Sequence, residues 1–281
     1  MASQVLSNRI GINFGNTIMK IAFIGTGNMG GAIVRGLIKS GTCPPEDIIC
    51  TAKSQATLDK LRQYDAALHL SLDNKEAAQA ADIIVLAVKP WLMADIIGEI
   101  RPVVDLKRQV IVSVAASITL DELAHLFVPD NSTAPFLFRV VPNTAAEVLE
   151  SVTFIASLGA TEQQSATIIH LFSAIGYAMV IDERLLPAAT SLASCGIAFA
   201  MRYMRAAMEG GVELGFRPDE AARIVEHTVK GAATLLLHSD IHPEAAIDKV
   251  TTAGGITIKG LNAMERAGFT NAVIEGLKAS R

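Results

Sequence analysis

Residues Gly25-Thr26-Gly27-Asn28-Met29-Gly30 read G-x-G-x-x-G. They stand between an apolar run, Ile21-Ala22-Phe23-Ile24, and a helix-like run, Gly31-Ala32-Ile33-Val34-Arg35-Gly36-Leu37-Ile38. No other stretch restricts the fold as much. A strand that enters a glycine turn and leaves as a helix aims the free N–H groups and positive dipole end of that helix at an anion. In such a turn the first glycine permits the tight bend and the second lets a phosphate reach the backbone. The third lets helix and strand pack closely. The segment predicts a site for a dinucleotide pyrophosphate; the competing reading is an ordinary glycine-rich turn.

Short apolar runs alternate with helical ones from Met19 to Ile181. Strands are expected at Ile21-Ala22-Phe23-Ile24, Ile48-Ile49-Cys50-Thr51, residues 82–88, 109–114 and 136–141, with shorter ones at 153–156 and 178–181. The run at 82–88 is continuously apolar, as for a strand covered on both faces. Helical stretches such as 58–64 and 121–127 separate most of them. Strands alternating with helices imply right-handed crossovers and a parallel sheet. After Asp182 strand signals stop. Helices are expected over 186–215, from Arg217-Pro218-Asp219-Glu220 to His238, after Pro243, over 257–267 and from 270 onward. The fold class is therefore α/β, a Rossmann-type doubly wound sheet over residues 19–181 followed by an all-helical domain over 182–281. Residues 1–18 read as a floppy extension or as the product of an upstream start, without the apolar core or cleavage site of a signal peptide.

Of 281 residues, 51% are hydrophobic and 5% aromatic, an excess that hints at a large subunit interface. A net charge of −4 with no basic block argues against nucleic acid. Cys43, Cys50 and Cys195 show no metal or C-x-x-C spacing and read as reduced, cytoplasmic thiols. No metal site is expected. His238 and His242 are four apart, but Pro243 breaks any shared helix. No membrane partner is expected either. The longest uncharged run, 185–201, contains Pro187, Thr190, Ser191 and Ser194 and ends at Arg202, so it reads as a buried interface helix and no segment as a span.

An NAD-specific site places an acid after the second strand, on the ribose 2′-hydroxyl. Here Thr51 leads to Ala52-Lys53-Ser54-Gln55, a cation and a hydroxyl suited to a 2′-phosphate. NADP(H) is expected over NAD(H); the alternative is a solvated loop lysine. Ligands of open α/β sheets lie beyond the carboxyl ends of the strands. Ala87, Val88, Lys89, Pro90 and the Ala115-Ala116 pair are thus expected to wall the nicotinamide ribose, although ordinary strand-to-loop packing is as compatible with the residues.

Several motifs, in order from residue 19 to the end, resemble the pyrroline-5-carboxylate reductase family. They are Phe23-Ile24-Gly25-Thr26-Gly27-Asn28-Met29-Gly30, Asp73-Asn74-Lys75-Glu76, Ala87-Val88-Lys89-Pro90 and Arg139-Val140-Val141-Pro142-Asn143-Thr144. His242-Pro243, Gly254-Gly255-Ile256-Thr257-Ile258 and Gly268-Phe269 continue the likeness. The resemblance implies reduction of the imine of 1-pyrroline-5-carboxylate to L-proline with NAD(P)H. It also implies a helical dimerisation domain forming an intertwined homodimer, with dimers assembling into decamers. It implies that Gly25, Gly27, Asn28, Met29 and Gly30 hold the pyrophosphate, with Ile24 and Thr26 beside them. Asn74 falls at the adenosine end, and residues 87–90, Ala115 and Asn143 on the remaining cofactor side. Thr257 matches a threonine whose hydroxyl lies near the substrate nitrogen, and Thr252, Gly254, Gly255 and Ile256 join it on the substrate side. The chain departs from the family pattern at Thr252-Ala253, where Ser-Pro is usual, and at Ala145, Ser117 and Ala193-Ser194-Cys195-Gly196-Ile197.

Hydride transfer to a protonated cyclic imine asks the protein for placement and charge stabilisation more than for a strong base. The Gly254-Gly255 turn opens a helix whose N–H groups suit a substrate carboxylate. Thr252 adds a hydroxyl, and Thr257 is the catalytic candidate, donating or relaying a proton to the ring nitrogen. The competing reading for Thr257 is a helix-face hydroxyl bonded to its own backbone. Two other functions fit parts of the chain. A β-hydroxyacid dehydrogenase would use Lys259 and Asn262, which share a helix face. However, that family's lysine lies early in the long helix after the nucleotide domain, where this chain has none. A non-catalytic NADP(H)-binding protein is the other.

Overall fold

The computed structural model describes residues 13–14, 17–130 and 135–281. The chain divides into two compact units, with the boundary between Thr190 and Ser191. The floppy extension expected over 1–18 lies outside the described residues, apart from β1 (Asn13–Phe14) and β2 (Thr17–Ile18), which pair antiparallel.

The first unit is built from β3 (Ile21–Ile24), α1 (Asn28–Ser40), β4 (Ile48–Thr51), α2 (Gln55–Tyr64), β5 (His69–Ser71), α3 (Asn74–Ala80) and β6 (Ile83–Leu86). It continues with α4 (Met93–Ile100), β7 (Val110–Ser113), α5 (Leu120–Phe127), β8 (Phe136–Val141), β9 (Ser151–Leu158), α6 (Glu162–Ser173) and β10 (Gly176–Val180). The eight strands lie in the order β10-β9-β8-β7-β6-β3-β4-β5. The chain runs outward from β3 to β5, then returns to β6 on the other side of β3. That reversal is the switch point at which open α/β sheets bind ligands. β3, β4, β6 and β7 are buried at every position, which is why each reads as an unbroken apolar run. Phe23, Phe138 and Phe172 are the largest fully buried side chains of the core.

The expectation of a parallel sheet is corrected here. The sheet is mixed, because β8 and β9 pair antiparallel. Only a short 3₁₀ turn, Thr144–Val148, joins them, and that is too short for a crossover. β5 was not foreseen; it is a three-residue edge strand with no buried residue.

The first unit closes with α7 (Leu186–Ala189). The second unit, residues 191–281, holds α8 (Gly196–Glu213), α9 (Pro218–Leu237), α10 (Pro243–Lys249), α11 (Ile256–Arg266) and α12 (Phe269–Ala279). α7 and α8 are joined by a π-helical turn, Thr190–Cys195, so a single helix runs over Glu183–Glu213. This helix corrects the expectation that no segment is long and apolar enough to cross a membrane. By length and composition alone it is. Pro187 does not interrupt it, because it sits in the first turn of α7, where a missing N–H costs nothing. Nor is the helix buried within one chain. Leu192, Met201 and Tyr203 are exposed, and between residues 191 and 281 only Ser191 and Ala221 are buried.

Candidate active site

β3 delivers the glycine turn to the carboxyl edge of the sheet. Gly25 adopts φ +90°, and a Cβ there would meet Val88 Cγ1 at 2.7 Å and the Ala87 carbonyl oxygen at 3.2 Å. A Cβ on Gly30 would lie 2.4 Å from the Gly25 carbonyl oxygen and 3.1 Å from Ala87 Cβ. A Cβ on Gly27 would meet nothing within 4 Å. The first and third glycines are thus required by the protein's own packing, while the second borders open space. Gly27 is also the N-cap of α1. No side chain caps this helix and its first turn carries no acid, so its leading N–H groups are left for an anion.

Thr51, at the end of β4, ties the turn down. Its carbonyl accepts from the Thr26 N–H and the Thr26 hydroxyl, both at 2.9 Å, and its hydroxyl accepts from the Gly25 N–H at 3.3 Å. Among the expected cofactor residues, Ile24 and Thr26 are therefore buried supports of the turn, whereas Asn28 is exposed and Met29 leans on the core. Ala87 donates its N–H to the Ile24 carbonyl at 2.9 Å, which sets residues 87–90 beside the turn. Ala115 is buried, its N–H on the Ser113 hydroxyl at 3.3 Å. Lys53 and Ser54 are exposed just past β4. Ser54 is the N-cap of α2, but its hydroxyl pairs with that of Thr57 at 3.1 Å. Among the described residues Lys53 has no ion-pair partner. Asn143 is buried, and its Oδ1 caps the turn after β8 by accepting from the Ala145 N–H at 3.1 Å.

In the second unit, Thr252, Gly254, Gly255, Ile256 and Thr257 gather where α10 gives way to α11. Gly254 has φ +71°, and Gly255 is the N-cap of α11, its N–H on the Thr252 carbonyl at 2.9 Å. A Cβ on Gly255 would lie 2.5 Å from Thr252 Oγ1, so the hydroxyl and the helix entry need a glycine between them. Ile256 is 86% exposed. Thr257 is exposed too, and its hydroxyl makes no hydrogen bond among the described residues, unlike Thr228 and Thr234, which bond back to Ile224 and Lys230. No group of metal-ligating side chains occurs among the described residues; His238 caps the end of α9 and His242 the start of α10, whose first residue is Pro243.

Two features were missed from the sequence. One is the set of partners of Thr51 and Asn74. The other is Arg139, a buried cation in the otherwise apolar β8. Its guanidinium pairs with Glu183 at 2.8 Å and bonds to the Ala116 carbonyl, and Glu183 also accepts from the Leu120 N–H at 2.8 Å. The pair joins the loop after β7 to the chain that leads into α7. A charge inside an apolar strand run was the signal that could have found it.

The sheet order and the uncapped glycine turn define a dinucleotide-binding α/β protein with an added helical unit. Residues 20–117 match the family described as coenzyme F420-dependent NADP oxidoreductase, and residues 183–281 that described as pyrroline-5-carboxylate reductase dimerisation. The chain is 36% identical to pyrroline-5-carboxylate reductase 2 of Dictyostelium discoideum, over 92% of this chain and 90% of that protein. It is 35% identical to reductase 1 of the same organism but spans only 48% of its length. The fold is that of the pyrroline carboxylate reductase of Plasmodium falciparum solved with NADP bound, at TM-score 0.84 and 24% identity over 95% of this chain and 97% of that one. The chain belongs to the pyrroline-5-carboxylate reductase family.

Proposed function

We propose that this protein reduces 1-pyrroline-5-carboxylate to L-proline, the last step of proline biosynthesis, acting as an NAD(P)H-dependent oxidoreductase on a C=N bond. The observation that carries the reading is the glycine turn. It has two sterically required glycines, an open one between them, and an uncapped helix start facing the space that the open glycine leaves. This suits a pyrophosphate. When bound, the nicotinamide supplies the hydride for the imine carbon.

The chain's own residues bind and orient. Gly27, Asn28, Met29 and Gly30 offer N–H groups to the phosphates. Residues 87–90 and Ala115 wall the nicotinamide side, and Asn74 stands at the adenosine end. Lys53, which has no ion-pair partner among the described residues, and the Ser54 hydroxyl receive a 2′-phosphate, which favours NADP(H) over NAD(H). The Gly254-Gly255 helix entry and Thr252 take the substrate carboxylate. Thr257, whose hydroxyl is not spent on its own helix, donates to the ring nitrogen.

We infer further that the helical unit pairs with a second copy of the chain, as its match to a dimerisation family suggests. Four of its five helices contain no buried residue, which leaves apolar surface unsatisfied in one chain. Assembly of dimers into a decamer and a cytoplasmic location complete the reading; the three free cysteines suit a reducing compartment.

Initial rates with NADPH and with NADH, on wild type and Lys53→Ala, test the cofactor assignment; equal use of both cofactors by wild type overturns it. Rates with 1-pyrroline-5-carboxylate beside its six-membered homologue test the substrate. Faster turnover of the larger ring would move the assignment to that imine.

A further inference from the structure

Three donors point one way from the glycine turn to a single carboxylate on α4. The Gly25 N–H donates to the Thr51 hydroxyl at 3.3 Å. That hydroxyl donates to Asn74 Oδ1 at 2.7 Å, and Asn74 Nδ2 donates to Glu99 Oε2 at 3.0 Å. Thr51 is 1% exposed, while Asn74 and Glu99 are half-buried. We propose that Glu99 is a positioning residue for the cofactor: its carboxylate fixes the orientation of the Asn74 amide and, through Thr51, the geometry of the Gly25 turn.

The direction of the chain follows from what each group can do. An ionised carboxylate only accepts, so it selects the NH₂ face of Asn74 and turns Oδ1 toward Thr51. With the amide reversed, its oxygen would face the carboxylate. Its NH₂ and the Gly25 N–H would then both donate to Thr51, whose own proton would have no acceptor in a dry site. Hydrogen bonds aligned head to tail also polarise one another, so the anchor at one end strengthens the contact at the other. The relay occupies the Gly25 N–H, and the Thr51 carbonyl occupies the Thr26 N–H. The donors left for phosphate are those at the start of α1. Glu99 thus acts on the cofactor through Asn74, Thr51 and the turn.

The inference rests on the reading that the turn holds a nicotinamide cofactor. The test is the Kd for NADPH, by cofactor fluorescence, together with kcat and KM, for wild type, Glu99→Ala, Glu99→Gln, Thr51→Val and the double variant Thr51→Val/Glu99→Ala. Glu99→Ala and Thr51→Val each raise Kd about tenfold, with kcat at saturating NADPH and KM for the imine within about twofold of wild type. The double variant is no weaker than the worse single one, because both break one relay. Glu99→Gln keeps an acceptor oxygen and recovers most of the affinity. Thr51→Val preserves shape and decides the matter by itself if Glu99→Ala does not fold.

Binding by Thr51→Val and Glu99→Ala within about twofold of wild type overturns the proposal, as do additive losses in the double variant. A fall in saturated kcat as large as the loss of binding overturns it too. If wild type itself fails to bind NADPH, the cofactor reading falls with it. If wild type binds and the variants bind equally well, only the role of Glu99 falls.

Discussion

Gly30 lies against the carbonyl of Gly25 so closely that a Cβ on Gly30 would stand 2.4 Å from that oxygen, whereas a Cβ on Gly27 would meet nothing within 4 Å. One turn therefore contains a glycine that the protein needs and a glycine that only a ligand needs. Gly30→Ala should force α1 away from the turn and destabilise the first unit by about 1–3 kcal/mol. Gly27→Ala should cost no more than about 1 kcal/mol, the difference between glycine and alanine at an N-cap, yet weaken NADPH binding at least about tenfold, because its methyl occupies the phosphate's approach. Urea titration and cofactor fluorescence on the two variants separate these effects. Equal loss of stability in both would contradict the assignment.

Thr257→Ala removes a hydroxyl that has no partner among the described residues. Stability should hold to within about 0.5 kcal/mol. kcat should fall about tenfold or more, with the Kd for NADPH unchanged. Steady-state kinetics with separate cofactor binding check this; unchanged turnover removes Thr257 from the chemistry.

Arg139→Met leaves Glu183 beside an apolar side chain and frees the Ala116 carbonyl. Removing one partner of such a pair should cost about 3 kcal/mol. The double variant Arg139→Met/Glu183→Gln should recover part of that loss, since the stranded charge goes too. Chemical denaturation of the four proteins of the cycle measures it. A double variant no more stable than Arg139→Met would contradict the pairing.

Burial, assisted by Asp47, pushes the Cys43 thiol up to about 12, and burial alone does the same for Cys50. At pH 8 roughly one such thiol in ten thousand is ionised. Native protein treated with iodoacetamide should carry no label on Cys43 or Cys50, and both should react once the chain is unfolded. Peptide mass spectrometry reads the outcome, and rapid labelling of either in the native protein would place it at the surface.

The Arg184 guanidinium and N–H bonded to Asp182 hold that carboxyl down to about 2, against an ordinary 3.8. A carboxyl whose folded pKa is depressed adds stability above its unfolded value, and this is lost as pH falls through the folded one. The contribution should therefore be full above pH 3.8 and fade toward about 2. Both side chains face water, so salt should shrink it. Asp182→Asn should show a shallower decline of urea midpoint across that window and no added slope above it; superimposable acid curves would refute the effect.

Much of the first unit is legible in the sequence, because β3, β4, β6 and β7 are buried on both faces and leave unbroken apolar runs. The glycine turn is legible for a different reason: its steric demands fall on residue type. β5 is not legible, since a three-residue edge strand buries too little to impose a pattern. The antiparallel β8–β9 pair depends on connection length, which apolar periodicity does not encode. The helix through Pro187 and Arg202 outruns what an uncharged-run count can see. Glu99 is invisible because its partner is chosen where α3 meets α4 in space. Thr257 is singled out only by resemblance; its hydroxyl free of the helix is a structural observation.

The most direct measurement of the central claim follows NADPH oxidation and product together, with purified protein and 1-pyrroline-5-carboxylate. The account predicts one L-proline formed for each NADPH oxidised, and a fall of about tenfold or more in both signals in Thr257→Ala at cofactor concentrations that still saturate binding. NADPH bound tightly but never oxidised, or oxidised without proline appearing, would contradict it.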